Sequence, residues 1–86
     1  MFVHIGNNRI INTKDIICIY NISSMKKTKE YENLVKELKE KNRIIDISNK
    51  EEKTLIITEE EKQMKGYISK ISSVTLGKRV EQFKNK

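Results

Sequence analysis

The chain has 86 residues, 35% of them charged, and its 18 Lys and Arg residues against 12 Asp and Glu residues give a net charge of +6. Its length suits a single domain, which buries only about 60–65% of its unfolded surface and so gains from oligomerisation, and a lone cysteine excludes an intrachain disulfide framework. Without a signal-peptide pattern or any apolar run near the ~20 residues of a membrane-spanning helix, we expect a cytoplasmic protein with no membrane association.

The first predicted element is a hairpin made by residues 2–5 and 9–11. Between them stands Gly6-Asn7-Asn8. Glycine and asparagine tolerate the positive φ angles that tight hairpins need, so this tripeptide indicates the turn.

Residues 15–22 predict a strand that is apolar on both sides. Strand alternation separates the side chains into two sets, with Ile16, Cys18 and Tyr20 on one side and Ile17 and Ile19 on the other. A strand that is apolar on both faces must be covered on both. Because a chain of this size has few elements to supply that cover, we expect a partner chain, with Ile17 and Ile19 at an oligomer interface.

Residues 28–42 predict the central helix. Thr28 is a suitable N-cap, and Asn42 can take the left-handed conformation that ends a helix. Four apolar residues share one stripe at helical spacing, namely Tyr31, Leu34, Val35 and Leu38.

The rest of the chain predicts three strands and a final helix. The strands are residues 43–47, 54–58 and 63–71, and the polar residues 48–53 are interpreted as an exposed hairpin loop between the first two. Gly66, inside the third strand, indicates a bulge or a close backbone approach. Ser72 predicts an N-cap for a helix over residues 73–83, with Leu76, Val80 and Phe83 on one face, and residues 84–86 predict a frayed basic tail.

The resulting fold class is α+β. We expect one small domain over residues 1–83, with an antiparallel β-rich sheet of about five or six short strands, one central amphipathic helix and one C-terminal helix. No repeat or linker divides the chain.

Catalytic and metal chemistry have few candidate residues. Only His4 and Cys18 combine nucleophilic and metal-binding potential, and neither has an evident third group to orient it, while a structural zinc site needs four ligands. The three glycines are isolated and form no phosphate-binding loop. We therefore expect no enzyme activity, no cofactor and no metal.

The excess of basic over acidic residues has two interpretations. Basic proteins attract nucleic acids because neutralised phosphates release counterions. The excess is mostly lysine, however, and a lysine-, isoleucine- and asparagine-rich composition also follows from A+T-rich coding. Arginine and glutamine are scarce, so any DNA contact is expected to depend on the phosphate backbone rather than on base edges.

The order of several short segments resembles the small bacterial extracellular-matrix regulators, RemA and RemB, and is closer to the RemB branch. The segments are Phe2-Val-His-Ile-Gly6, Lys14-Asp-Ile-Ile17, Arg43-Ile-Ile-Asp46, Lys53-Thr-Leu-Ile-Ile-Thr58 and Ile71-Ser-Ser-Val-Thr-Leu-Gly-Lys-Arg79. The resemblance runs over nearly the whole chain. It implies a LytTR-like protomer and a ring-like homo-oligomer that binds double-stranded DNA and regulates biofilm-matrix genes.

The resemblance also implies where DNA would be contacted. One expected arginine position falls on Asp15, with Lys14 beside it, and an expected arginine-rich loop falls on residues 48–53. The candidate nucleic-acid-binding residues are therefore Lys14, Lys50 and Lys53.

Three acidic residues motivate a second hypothesis. Asp15, Glu51 and Glu52 would repel phosphate, and a lysine does not reproduce an arginine fork. The alternative is an oligomeric interaction module that binds a protein partner and not DNA.

Overall fold

Two sheets and three α-helices form the described part of the fold, in a computed structural model that describes residues 1–84 and their side chains as far as Glu81. β1 (Phe2–Gly6) and β2 (Arg9–Asn12) form the small sheet. The larger sheet has the order β3-β5-β6-β4, with β3 (Ile16–Asn21), β4 (Ile44–Asp46), β5 (Thr54–Glu60) and β6 (Gln63–Ser69). The helices are α1 (Ile22–Met25), α2 (Lys29–Glu40) and α3 (Ser73–Lys84). The predicted α+β fold class with short strands and a C-terminal helix is confirmed.

Asparagine forms the turn of the first hairpin as predicted. Asn7 and Asn8 have φ angles of 48° and 60°, and β1 pairs antiparallel with β2 across them. Positive φ at both central residues matches the twist of paired strands.

The central helix has both predicted caps. The Thr28 hydroxyl accepts a hydrogen bond from the Tyr31 N–H at 3.2 Å. At the other end Asn42 takes a φ of 56°, and the N–H of Arg43 donates to the Leu38 carbonyl at 2.8 Å. This backbone pattern closes the helix and satisfies its last carbonyls.

α3 begins as predicted at its serine cap. The Ser72 hydroxyl accepts from the Thr75 N–H at 3.2 Å, and Leu76 and Val80 are buried. The side chain of Phe83, predicted on the same face, lies outside the described residues. The predicted frayed tail starts at Lys84, with which α3 ends, and its last two residues are outside the described part as well.

Both faces of the larger sheet are covered by the chain itself. On one face the β1–β2 hairpin and α3 enclose a core that includes Val3, Ile56, Tyr67 and Leu76. On the other face α1 and α2 enclose Ile22, Leu38, Leu55, Ile57 and Ile68. The expectation that a partner chain must cover the sheet faces is therefore wrong, because the hairpin and helices form the two outer layers of a three-layer domain.

A β-bulge changes which side chains of β3 share a face. Ile16 pairs with Thr58 and Cys18 pairs with Ile57, so Ile17 is the extra residue between them. Ile16 and Ile19 consequently pack against the hairpin-side core, whereas strict alternation had separated them. The prediction that Ile16 shares one side with Cys18 and Tyr20, which pack against the helix-side core, is wrong, because the bulge shifts the alternation by one residue.

The strand β4 pairs differently from the prediction. It runs parallel to β6, with Ile44 opposite Gly66 and Asp46 opposite Ile68, and it does not pair with β5. Residues 48–53 are therefore a connection that crosses the end of β6, and the predicted hairpin loop is wrong.

A hydrogen-bonded carboxylate anchors the far end of β5 and β6. Glu60 Oε2 accepts from the Thr58 hydroxyl at 2.6 Å and from the Tyr67 hydroxyl at 2.7 Å. Burial raises the pKa of Glu60, but these two hydrogen bonds together with the nearby charges of Lys65 and Arg9 outweigh it and hold the pKa below its ordinary value. Burial and the bond to Glu60 raise the pKa of Tyr67 to about 12.

We expect this cluster to make the fold less stable at acid pH. Since the pKa of Glu60 is lower in the folded state, its stabilising contribution is present above the ordinary glutamate pKa of about 4.3 and is lost as the pH falls through the folded value. Glu60→Gln keeps an acceptor but no charge, so between pH 7 and pH 3 the wild type should lose about 1 kcal/mol more free energy of unfolding than the variant. Urea unfolding at both pH values measures this, and equal losses would contradict it.

Candidate nucleic-acid interface

The connection between β4 and β5 is a tight turn that presents Lys50 to solvent. Asn49 and Lys50 have φ angles of 56° and 71°, and the Glu51 N–H donates to the Ser48 carbonyl at 3.1 Å. Asp46 Oδ1 accepts from the Ser48 hydroxyl at 2.6 Å and from its N–H at 2.9 Å, and these bonds lower the pKa of Asp46. The turn therefore holds Lys50 on a defined backbone.

Lys53 is held from both sides through its backbone. Its N–H donates to the Ser69 carbonyl at 3.0 Å, and its own carbonyl accepts from the Ile22 N–H at 3.0 Å. The residue thus links the end of β6 to the start of α1, while its side chain is exposed. The exposed ammonium projects from a fixed point at this end of the sheet.

Two clefts lined mostly by residues with polar side chains open at the same end of the sheet. One, of about 220 Å³, is lined by Asn7, Asp46, Ile47, Asn49 and Lys70. The other, of about 210 Å³, is lined by Asn21, Ser23, Glu52, Lys53, Ser72 and Ser73. Amide, hydroxyl and ammonium groups are the side-chain types that contact phosphates in protein–DNA interfaces.

Lys70 belongs to this group and was not singled out from the sequence. It follows β6 directly and is exposed. Its neighbour Ser69 accepts the Lys53 N–H, so Lys53 and Lys70 emerge from adjacent backbone. The available signal was its position at the predicted end of a strand that returns to the loop of Lys50.

Lys14 lies apart from the other two predicted lysines. It occupies an exposed position in a 3-10 turn, Thr13–Asp15, that precedes β3, whereas Lys53 precedes β5. Because β3 and β5 are antiparallel, these positions flank opposite ends of β3. The whole length of β3, about 17 Å, lies between them.

The acidic residues are distributed over both ends. Asp15 is half-buried in the 3-10 turn, and Glu51 and Glu52 are exposed beside the lysine loop. The ion pairs found among the described residues are Lys41 with Glu37 and Lys65 with Glu60. Lys14, Lys50 and Lys53 therefore keep their charge available within the described part of the chain.

Two of the three arginines make contacts within the domain. The Arg79 guanidinium donates to the His4 carbonyl at 2.8 Å and ties α3 to β1. Arg9 lies over the Tyr67 ring, with 5.7 Å from its Cζ to the ring centroid. Phosphate contacts at the loop end of the sheet would accordingly depend on lysines.

The two predicted interface residues have different surroundings. Ile17 is 52% exposed, while Ile19 is half-buried against the hairpin-side core. Of these two residues, only Ile17 exposes enough apolar surface to gain stability from burial against a partner.

The described residues include neither a helix long and apolar enough to cross a membrane nor a group of three His, Cys, Asp or Glu side chains that could hold a metal ion.

Comparison with known proteins gives one family. A family model described as RemA-like, extracellular matrix regulatory protein A-like, matches residues 2–80. No curated protein matches the chain.

Proposed function

We propose that this chain, which belongs to the RemA-like family of extracellular matrix regulatory proteins, is a homo-oligomeric transcriptional regulator. In this proposal it binds double-stranded DNA in the cytoplasm. The family consists of regulatory proteins rather than enzymes, and membership implies regulation of extracellular matrix genes. Our proposal adds the molecular means, which is contact with the DNA backbone through lysines.

The observation that carries the proposal is the group of exposed lysines on short, hydrogen-bonded loops at one end of the sheet, Lys50, Lys53 and Lys70. Fixed loops lose little conformational freedom on binding, so their charges are presented at low entropic cost. Each lysine that meets a phosphate releases condensed counterions, which provides affinity with little sequence information. An oligomer multiplies such weak contacts.

The resemblance and the acidic residues of this loop support two narrower points. Glu51 and Glu52 stand where the resemblance implies arginines. The order of the segments that carry the resemblance supports our proposal that the chain is closer to the RemB branch. The two glutamates favour the second candidate function, an oligomeric module that binds a protein partner and not DNA, because exposed carboxylates repel phosphate.

A salt titration tests DNA binding. Duplex DNA is titrated with the full chain at several salt concentrations, and the logarithm of affinity is plotted against the logarithm of salt. We expect a straight line with a slope of about −0.9 for each phosphate contacted. Undetectable binding at ~50 mM salt, where phosphate contacts are strong, would overturn the DNA proposal and leave the protein-binding module.

The mass of the assembly tests the homo-oligomer separately. Light scattering at micromolar concentration should report at least twice the mass of one chain. A monomer that still binds DNA would overturn the oligomer and keep the DNA contact, so the two parts of the proposal fail independently.

A further inference from the structure

One cleft at the loop end of the larger sheet combines opposite charges. It has a volume of about 220 Å³ and is lined by Asn7, Asp46, Ile47, Asn49 and Lys70, and we call it the Asp46–Lys70 cleft. Three separate parts of the chain form it, namely the β1–β2 turn, the β4–β5 connection and the residue that follows β6. Pockets for drug-sized ligands have volumes of roughly 300–1,000 Å³, so this cleft suits a smaller molecule.

The Asp46 carboxylate is held in place with one oxygen free. Ser48 is fully buried, and its hydroxyl and its N–H both donate to Asp46 Oδ1. These bonds lower the pKa of Asp46, so the carboxylate is charged at neutral pH. Within the described part of the chain Oδ2 accepts no hydrogen bond, and it is available to a ligand. A binding group whose position is fixed by a buried neighbour is already oriented before the ligand arrives.

The Lys70 ammonium lines the same cleft without closing on Asp46. Asp46 pairs with Ile68 across the parallel strands β4 and β6, and Lys70 follows two residues after Ile68. Neither Asp46 nor Lys70 takes part in an ion pair among the described residues. The two strands therefore bring an anion and a cation to one cleft as separate charges.

This arrangement disfavours ligands that carry charge of one sign. A phosphate would be attracted by Lys70 and repelled by Asp46, and a simple cation would meet the reverse. A molecule with both charges can satisfy both groups, since its ammonium can donate to Asp46 Oδ2 while its carboxylate accepts from Lys70 Nζ. Hydrogen bonds between charged groups are roughly twice as strong as those between neutral groups.

Two asparagines provide the remaining polar groups of the cleft. Asn7 and Asn49 belong to turns and have φ angles of 48° and 56°. A side-chain amide both donates and accepts. The two amides can therefore complete the hydrogen bonding of an ammonium group as well as that of a carboxylate.

We propose that the Asp46–Lys70 cleft binds a small zwitterion of the α-amino acid class, with its ammonium group at Asp46 and its carboxylate at Lys70. The site itself does not depend on the proposed DNA binding. Lys70 is also one of the lysines of the proposed DNA surface, so a bound amino acid and a DNA phosphate would compete for its ammonium group. That competition alone rests on the proposed function.

Titration of the full chain without DNA tests the site. Glycine, L-alanine and L-glutamine are added at pH 7 and constant ionic strength, and the backbone amide resonances are followed by NMR. We expect saturable shifts at Asn7, Asn49 and Lys70 with roughly millimolar affinity, because exposed charge pairs each contribute little. The N-acetyl analogues lack the ammonium charge and the carboxamide analogues lack the carboxylate charge, and both should bind at least about fivefold more weakly.

Two variants assign each charge to its partner. Asp46→Asn keeps an oxygen that can accept from Ser48, and Lys70→Gln keeps a polar side chain; each should weaken amino acid binding at least about fivefold. Compared with the wild type, Asp46→Asn should bind the N-acetyl analogues more tightly and Lys70→Gln the carboxamide analogues, because each change removes the repelling charge. A purely structural effect would not produce this crossed preference. Glu40→Gln and Lys62→Gln make the same charge changes at exposed positions that do not line the cleft, and they should bind like the wild type.

Three results would overturn the proposal. The first is the absence of saturable shifts with all three amino acids, and the second is equal affinity for the amino acids and their analogues. The third is a saturable shift of the cleft residues with inorganic phosphate but not with amino acids, which would assign the cleft to phosphate. Because no DNA is present, failure of this site and failure of DNA binding in the salt titration are separate results.

Discussion

Replacing Gly66 with valine will lower the free energy of unfolding by about 1–3 kcal/mol, the usual cost of overpacking a core. A Cβ at this position would lie 2.9 Å from Ile44 Cδ1, 3.2 Å from Leu55 Cδ1 and 3.3 Å from Leu38 Cδ1. These atoms end side chains that pack in the same helix-side core. Leu38 and Leu55 are buried, so their methyl groups can move only by displacing neighbours, and the added methyl groups strain α2 and β5 together. Urea unfolding followed by circular dichroism measures the loss.

Gly77 provides the control. A Cβ there has nothing within 4 Å, and the residue lies inside α3. Gly77→Ala should therefore raise the free energy of unfolding by about 0.5–1 kcal/mol, because alanine loses less backbone entropy in a helix. If Gly66→Val were as stable as the wild type, α2 would not depend on glycine for its close approach to the sheet.

Gly66 illustrates the level of detail that the sequence supports. A glycine within an apolar strand pattern predicts a close approach or a bulge, and the close approach is confirmed by the three side chains around its Cα. Which residues make that approach depends on the packing of α2, so the pattern alone could not name them. The hairpin at Asn7 and both caps of α2 were predicted because local hydrogen bonds and φ preferences decide them.

Local sequence patterns did not specify which strands pair with each other. The apolar sequence of β4 is compatible with pairing to either β5 or β6. The parallel pairing with β6 is determined by the three-dimensional arrangement. The bulge at Ile17 had no glycine to indicate it. Its effect was large, since one inserted residue moved Ile19 onto the same face as Ile16 and into the core.

The candidate site was predicted in its parts but not in its geometry. The exposure of the loop lysines was predicted because charged residues in a connection between strands lie at the surface. Their separation from Lys14 and their proximity to Lys70 follow from strand order, which the sequence did not determine.

Reversing the charge of the lysine loop should have the largest effect on DNA binding. The double variant Lys50→Glu, Lys53→Glu removes two phosphate contacts for each bound protomer and adds repulsion from Glu51 and Glu52 on the same loop. We expect duplex affinity at ~50 mM salt to fall by roughly tenfold or more, with a salt slope less negative by about two for each engaged protomer. Fluorescence anisotropy with a labelled duplex measures both quantities.

Two further variants separate a local contact from a general change of charge. Lys41→Glu, Lys62→Glu makes the same change in net charge at exposed positions toward the other end of the sheet, the C-cap of α2 and the β5–β6 turn, and its loss should be much smaller because distant charges are screened beyond about 10 Å at 0.1 M salt. Glu51→Gln, Glu52→Gln removes the carboxylates beside Lys50 and Lys53 and should strengthen binding. If the two double lysine variants weaken binding equally, the loop is not the contact surface. If the glutamine variant does not strengthen binding, the carboxylates of Glu51 and Glu52 do not face the phosphates and do not repel DNA.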